Sequence, residues 1–268
     1  MHADTTGAQV PGIQLGTSGP IATIVLNRPD KDNALRSVEW VLETALTSIA
    51  REPALRLAVI RGAGDRAFST GSDIADTAGR SPYDNYGAAL RRQRVFHLLV
   101  GLRKPSIAMI RGYAIGGGLE LALPCTFRVA AMDAALGIPE IRLATLAGAG
   151  GTQRVLQLLG HALAMRMLLL GEMLTADDAA RGGLVDSVVP AAELESAVGT
   201  ITDRLLQQDS SAVAMILDCH RLSRESSMKG NMIGEAALFG LTTSTNAFKP
   251  AAEDFQSRRE DATNSEQS

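Results

Sequence analysis

The 268-residue chain has few cysteines, few aromatics and almost no net charge, and each scarcity removes a class of function. Its two cysteines, Cys125 and Cys219, form no CxxC and have no histidine at metal-ligand spacing. Neither a disulfide framework nor a metal site is indicated, and a reducing compartment fits. Cys125 lies in an apolar stretch and reads as a small core residue rather than a nucleophile. The formal net charge of −3 gives no electrostatic reason to expect nucleic acid or an anionic membrane as partner. No window approaches ~18 uninterrupted apolar residues, so no transmembrane helix is expected. The opening "MHADTTGAQVPG" has no basic region before an apolar run and no arginine, so it resembles neither a secretory signal nor a transit peptide. The expected compartment is the cytoplasm. Three catalytic or phosphate-binding signatures are missing too: "GYAIGGG" fails GxGxxG, and neither GxxxxGK[ST] nor GxSxG occurs.

What is present is an ordinary globular composition, 46% hydrophobic and 21% charged, with ample length to bury a core. "GIQL" (12–15) and "IATIVL" (21–26) flank a turn and read as a hairpin, followed by the polar loop "NRPDKDN" (27–33). Ser37 stands where it would cap a helix over 38–52. Two apolar runs closed by glycine, 55–62 and 105–112, read as buried strands. Each leads into a glycine-rich segment, a loop over 62–74 and "GGGLELALPC" over 116–125. Helices are expected over 84–101 and from about 117 to Pro124, then a strand over 126–131. Strands alternating with helices imply a mostly parallel sheet covered by helices, an α/β fold. Beyond 151 the pattern turns helical, with segments ending at Gly160 and Gly171, a capping-box-like start at Thr175 and Asp178, and helices over 191–208, 210–225 and 231–246. The expected division is a core over 1–195, a helical region over 196–260 and a frayed polar tail over 261–268.

Chemistry concentrates at the two glycine-rich segments. Both follow buried strands, so both could lie on one edge of a parallel sheet, where ligands of such folds bind. Glycine lets backbone N–H groups approach a ligand closely, and a helix starting near 117 leaves its first amides unpaired. Two such loops could form an oxyanion hole; they could equally be tight strand-to-helix turns. Glu120 falls in the first turn of that helix, where an acid favours the dipole even when solvated, yet "LELALPC" is apolar on every side. Glu140, in "LGIPEIRL", follows after one strand's worth of chain. Two carboxylates meeting in an apolar pocket are suited to acid–base work, because burial and the ionised neighbour hold one of them protonated. His97, His161 and His220 lie in helical stretches without partners at ligand spacing, and Arg91, Arg92 and Arg94 read as a solvated helix face.

Taken in order, "LNRPDKDNAL" (26–35), "AFSTGSDI" (67–74), "KPSIAMIRGYAIGGGLELALPC" (104–125), "GIPEIRL" (137–143) and "GAGGTQR" (148–154) resemble the successive signatures of the enoyl-CoA hydratase/isomerase (crotonase) superfamily. The resemblance covers about residues 13–260. It implies a crotonase-like spiral of ββα units with a C-terminal helical trimerisation region, a homotrimer or homohexamer, and an acyl-CoA thioester as substrate. It implies no metal and no redox cofactor, coenzyme A being part of the substrate. By position in the motifs, the oxyanion-hole donors would be the backbone N–H groups of Ser72 and Gly117. Ser72, Asp73, Ile74 and Ala75 would line the CoA and acyl thioester, with Lys31 at the adenine end. Glu120 matches the base that activates water, and Glu140 the acid that protonates Cα. The expected activity is that of an enoyl-CoA hydratase, a lyase of fatty-acid or related acyl-CoA degradation.

Other outcomes of the same site are enoyl isomerisation, carnitinyl-CoA dehydration, and hydration of a branched or aromatic enoyl-CoA. A non-catalytic or RNA-binding member is the alternative of a different class, opposed by the intact glutamate pair and the acidic balance. The sequence departs from the family pattern at Ser72, where alanine is common, and at Ala144, Ala147 and Thr126.

Overall fold

Alternation decides the first two elements. In a computed structural model describing residues 12–35, 38–225 and 227–266, β1 (Gly12–Ser18) and β2 (Ile21–Asn27) form an antiparallel hairpin. Ala22, Ile24 and Leu26 of β2 point inward and the residues between them outward, the period of a strand with one buried face. The chain then crosses over through α1 (Glu39–Arg51), which buries Val41, Leu42, Ala45, Leu46 and Ile49 at helical spacing. It returns as β3 (Leu57–Gly62), parallel to β2. Ser37, expected to cap α1, lies outside the described residues.

From β3 onward the chain winds as a spiral. It passes to a second sheet as β4 (Ala67–Ser69), then runs through α2 (Ile74–Ala78) and α3 (Pro82–Val100). The next turn is β5 (Ser106–Ile110), β6 (Tyr113–Ile115) and α4 (Gly117–Ala122). A third is β7 (Phe127–Ala131), β8 (Ala135–Gly137) and α5 (Gly151–Leu169), and the chain continues through β9 (Met173–Thr175), α6 (Ala176–Arg181), β10 (Ser187–Val189) and α7 (Leu194–Leu206). Each of these three turns gives one strand to each sheet, so the orders are β1-β2-β3-β5-β7-β10 and β4-β6-β8-β9. The expected spiral of ββα units is therefore present.

The loop expected over 62–74 contains β4 and the start of α2. Three residues, all buried, are too few to show an alternation, and the same brevity hid β8, β9 and β10. Both helical segments expected after 151 lie in α5, broken at Gly160 (φ 71°, ψ 172°) where the first was expected to end. Thr175 caps α6 as expected, its Oγ1 accepting from Asp178 N–H at 3.1 Å, while the Asp178 carboxylate accepts from that hydroxyl at 2.7 Å in place of the backbone N–H of a full capping box. Cys125 is buried against α4, its thiol pushed up to about 12 by burial, as suits a core residue.

Two compact units result, the first ending at Leu205 and the second beginning at Leu206. The boundary is thus later than the expected 195/196, because Leu194, Val198 and Thr202 of α7 are buried within the first unit. The second unit comprises α8 (Ser210–Glu225), α9 (Met228–Thr243) and α10 (Phe248–Glu266). Helix α10 continues through residues 261–266, for which a frayed tail was expected: "DATNSE" contains no glycine or proline to stop it. Residues 267 and 268 lie outside the described residues. Among the described residues no helix is long and apolar enough to cross a membrane.

Candidate active site

The parallel register of the second sheet gathers the candidate residues at one end. Strand β4 pairs with β6, and β6 with β8 in the register Ile115↔Gly137. The chain leaving β4 carries Gly71 and Ser72, that leaving β6 carries Gly116 to Glu120, and that leaving β8 carries Glu140. Three segments spread over seventy residues of sequence thus emerge side by side, at the carboxyl ends of parallel strands. Gly116 N–H continues the ladder to Gly137 C=O at 2.9 Å, which holds "GIPE" alongside the glycine run.

The glycines answer to their neighbours. Gly116 has φ +53°, and a Cβ there would lie 2.6 Å from Glu140 Oε1. Only a residue without a side chain lets the carboxylate come so near. Gly71 has φ +83° and abuts the Gly117 amide, which a Cβ would approach to 2.6 Å. As the first residue of α4, Gly117 has an N–H with no place in the helix's own ladder. Leu35 forms a parallel bridge with Ser72 while donating to Gly71 C=O at 2.7 Å, a register in which the Ser72 amide turns away from Leu35. The two expected oxyanion donors, Ser72 and Gly117, therefore stand on adjacent segments.

Glu120 is 2% exposed, and its Oε1 accepts from Ala149 N–H at 2.7 Å and Gly151 N–H at 2.8 Å. Those amides belong to the turn that starts α5, so the carboxylate sits at a helix N-terminus, where negative charge is favoured. Burial raises its pKa, while the two amides and the charges of Arg92 and Arg154 oppose the rise. Glu140 is half-buried in the short helical turn Glu140–Leu143, and its Oε2 is buried without a hydrogen-bond partner. Its carboxyl is pushed up to about 7, first by burial and then by the charge of Glu120. Burial raises both carboxyls, but they differ in their partners: two amides favour the ionised form of Glu120, whereas the charge of Glu120 favours the protonated form of Glu140.

The remaining candidates lie around this centre. Asp73 precedes α2 and is partly buried, while Ile74 and Ala75 are exposed on its first turn, Ile74 at 59%. Lys31 is exposed at the end of a 3-10 turn, Pro29–Lys31, and does not touch the carboxylates' end of the sheet through any hydrogen bond of its side chain among the described residues. Its loop is nevertheless tied to the segment that carries Ser72, since Asp32 C=O accepts from Thr70 N–H at 3.1 Å. Sequence reasoning missed the strut behind this tie. Buried Asn33 donates to Ala63 and Ala67 carbonyls at 2.9 and 2.7 Å, Ser69 Oγ donates to Asn33 C=O, and Gly71 N–H donates to Ser69 Oγ. It also missed that "GAGG" supplies the amides for Glu120, although a glycine run before a helical pattern was a visible signal. His97, His161 and His220 lie on α3, α5 and α8, as expected.

The raised Glu140 has a stability consequence. Between its ordinary 4.5 and about 7 the folded protein keeps a proton that the unfolded chain has lost. Stability therefore falls as pH rises through that window, and above about 7 the ionised carboxylate remains as a fixed penalty. Glu140→Gln should raise the melting temperature relative to the native chain at pH 8, and the gap should close toward pH 5. A gap of the same size at both pH values would show that Glu140 ionises normally.

Comparison with known proteins agrees with this geometry. A family profile described as Enoyl-CoA hydratase/isomerase matches residues 16–265. A crotonyl-CoA hydratase of Syntrophomonas wolfei is 35% identical over 240 residues, covering 89% of this chain and 92% of the relative. An (E)-benzylidenesuccinyl-CoA hydratase of Thauera aromatica is 32% identical, covering 92% and 96%. A crystal structure of an enoyl-CoA hydratase from Bacillus anthracis superposes with a TM-score of 0.87 at 30% identity, covering 92% of this chain and 96% of that one. With the profile spanning the spiral and the glutamate-bearing motifs alike, this chain belongs to the enoyl-CoA hydratase/isomerase family.

Proposed function

We propose that the protein is an enoyl-CoA hydratase that adds water reversibly and syn to a trans-2-enoyl-CoA, giving a 3-hydroxyacyl-CoA. The observation that carries this reading is the unlike pair of carboxyls, Glu120 held by two amides and Glu140 pushed up to about 7 beside it. Glu120 takes a proton from water as its oxygen bonds to C3. The electrons of the C2–C3 double bond move to the thioester oxygen, where the Ser72 and Gly117 N–H groups stabilise the enolate. Collapse of the enolate returns the electrons to C2, which takes the proton of Glu140. Proton exchange with solvent then restores both carboxyls. Syn addition requires both groups to act from the same side of the acyl chain, and their departure from neighbouring strands, β6 and β8, suits that.

In this reading Asp73, Ile74 and Ala75 line the thioester and CoA, and Lys31 meets the adenine end. The chemistry uses no metal and no redox cofactor. The second unit supports a homotrimer or homohexamer: its helices surround an apolar hollow of about 790 Å³, lined in part by Met215, Met232, Phe239 and Phe248. Ile216, Met232 and Phe239 are more than half exposed there, the kind of face another copy would cover.

Purified protein mixed with crotonoyl-CoA should bleach the conjugated-thioester absorbance to an equilibrium value, with 3-hydroxybutyryl-CoA identified by mass spectrometry. A folded protein that leaves crotonoyl-CoA and a panel of longer, branched and aromatic enoyl-CoAs unchanged would refute the hydratase reading.

A further inference from the structure

The arginines of α3 do not share one fate. Arg94 pairs with Glu43 at 2.9 Å on the surface, 63% exposed. Arg92 turns inward: its side chain is 13% exposed and that of its partner Glu39 17%. Arg92 Nε and Nη2 both donate to Glu39 Oε1, at 3.0 and 2.7 Å, and Nη1 donates to Ser72 Oγ. A largely desolvated ion pair carries a cost that only good geometry offsets. Here the rigid guanidinium fork ties α1 to the segment after β4, a task a lysine could not perform.

Ser72 is the residue whose amide is half of the proposed oxyanion hole, yet an amide needs no hydroxyl. Because Ser72 Oγ accepts from Arg92, its own proton is left to donate in another direction. Ser72 N and Oγ lie 3.4 and 3.5 Å from the point a Cβ would occupy on Gly117. The hydroxyl therefore borders the same space as the two amides.

We propose that Arg92, anchored by Glu39, orients the Ser72 hydroxyl as a third hydrogen-bond donor to the thioester oxygen. This rests on the acyl-CoA reading above. Ser72 is then a catalytic residue through its side chain as well as its backbone, and Arg92 and Glu39 are positioning residues. A cation behind the hydroxyl polarises its O–H, an effect that grows as the thioester oxygen gains enolate charge. The contribution is made in the transition state more than in the bound substrate, so it acts on kcat rather than KM. Arg92 also lies near enough to Glu120 for its charge to favour that carboxylate, so its two possible routes must be separated.

A double-mutant cycle separates them. Ser72→Ala keeps the amide and should lower kcat on crotonoyl-CoA about tenfold, less than the loss of a sole donor because two amides remain. KM should stay within about twofold. Arg92→Met should lower kcat by a similar factor, and the double variant should be no slower than Ser72→Ala. If Arg92→Met does not fold, Arg92→Lys takes its place in the cycle, since it lacks the fork but keeps the charge. The second readout is the red shift of bound 4-dimethylaminocinnamoyl-CoA, a push–pull thioester whose absorbance reports carbonyl polarisation. The shift should shrink equally in Ser72→Ala and Arg92→Met. Native kcat and native red shift in Ser72→Ala would overturn the proposal, as would multiplicative losses in the double variant. A native protein that shifts the probe but hydrates no enoyl-CoA refutes the hydratase reading alone, and the red shifts of the variants still decide the role of Ser72. A native protein that binds neither the probe nor crotonoyl-CoA overturns both.

Discussion

Glu120→Gln should lower enoyl-CoA turnover by about 10²-fold or more while leaving the fold and the affinity for the thioester nearly unchanged. The expectation is sharp because the substitution is nearly isosteric. A glutamine carbonyl oxygen can still accept from Ala149 and Gly151 N–H, so the turn before α5 keeps its anchor. What is lost is basicity, since an amide cannot take the proton of water. Glu140→Gln should fall by a similar factor for the complementary reason, having no proton to release to C2. Stopped-flow absorbance with crotonoyl-CoA reads kcat and KM, and circular dichroism reads the fold. Full turnover in either folded variant would remove that carboxyl from the mechanism.

How much of this was visible in the sequence depends on what each feature needs. Long periodic elements were legible: α1, α3 and the hairpin of β1 and β2 declare themselves by burial periodicity. The strands of the second sheet were not, because three residues carry no period, and that sheet is what brings Gly71, Gly116 and Glu140 together. Glu120 and Glu140 could be picked out as acids in apolar surroundings. Their meeting depends on the pairing of β6 with β8, a long-range fact that composition does not encode. Family signatures supplied that pairing indirectly. Arg92 shows the limit of local pattern. Three arginines within four positions look alike in sequence, but the turn of the helix sends only Arg92 toward Glu39 and Ser72.

Gly71→Ala should reduce kcat/KM on crotonoyl-CoA by about 10²- to 10³-fold, the scale of losing an oxyanion donor, without touching either glutamate. Two causes act together. Gly71 has φ +83°, a conformation that costs an alanine on the order of 1–3 kcal/mol. The added Cβ would also fall 2.6 Å from Gly117 N and 2.7 Å from Ile115 O, both backbone atoms that cannot swing aside. The segment is tied at both ends of the residue, Gly71 N–H to Ser69 Oγ at 3.1 Å and Gly71 C=O to Leu35 N–H at 2.7 Å. Relief of the clash must therefore move the Ser72 and Gly117 amides apart, the distance on which stabilisation of the enolate depends in the proposed mechanism. Gly16→Ala is the control, because Gly16 has an ordinary φ and nothing within 4 Å of the added methyl. It should keep native activity. Native kcat/KM in a folded Gly71→Ala protein would show that the enolate charge is held somewhere other than between these two loops.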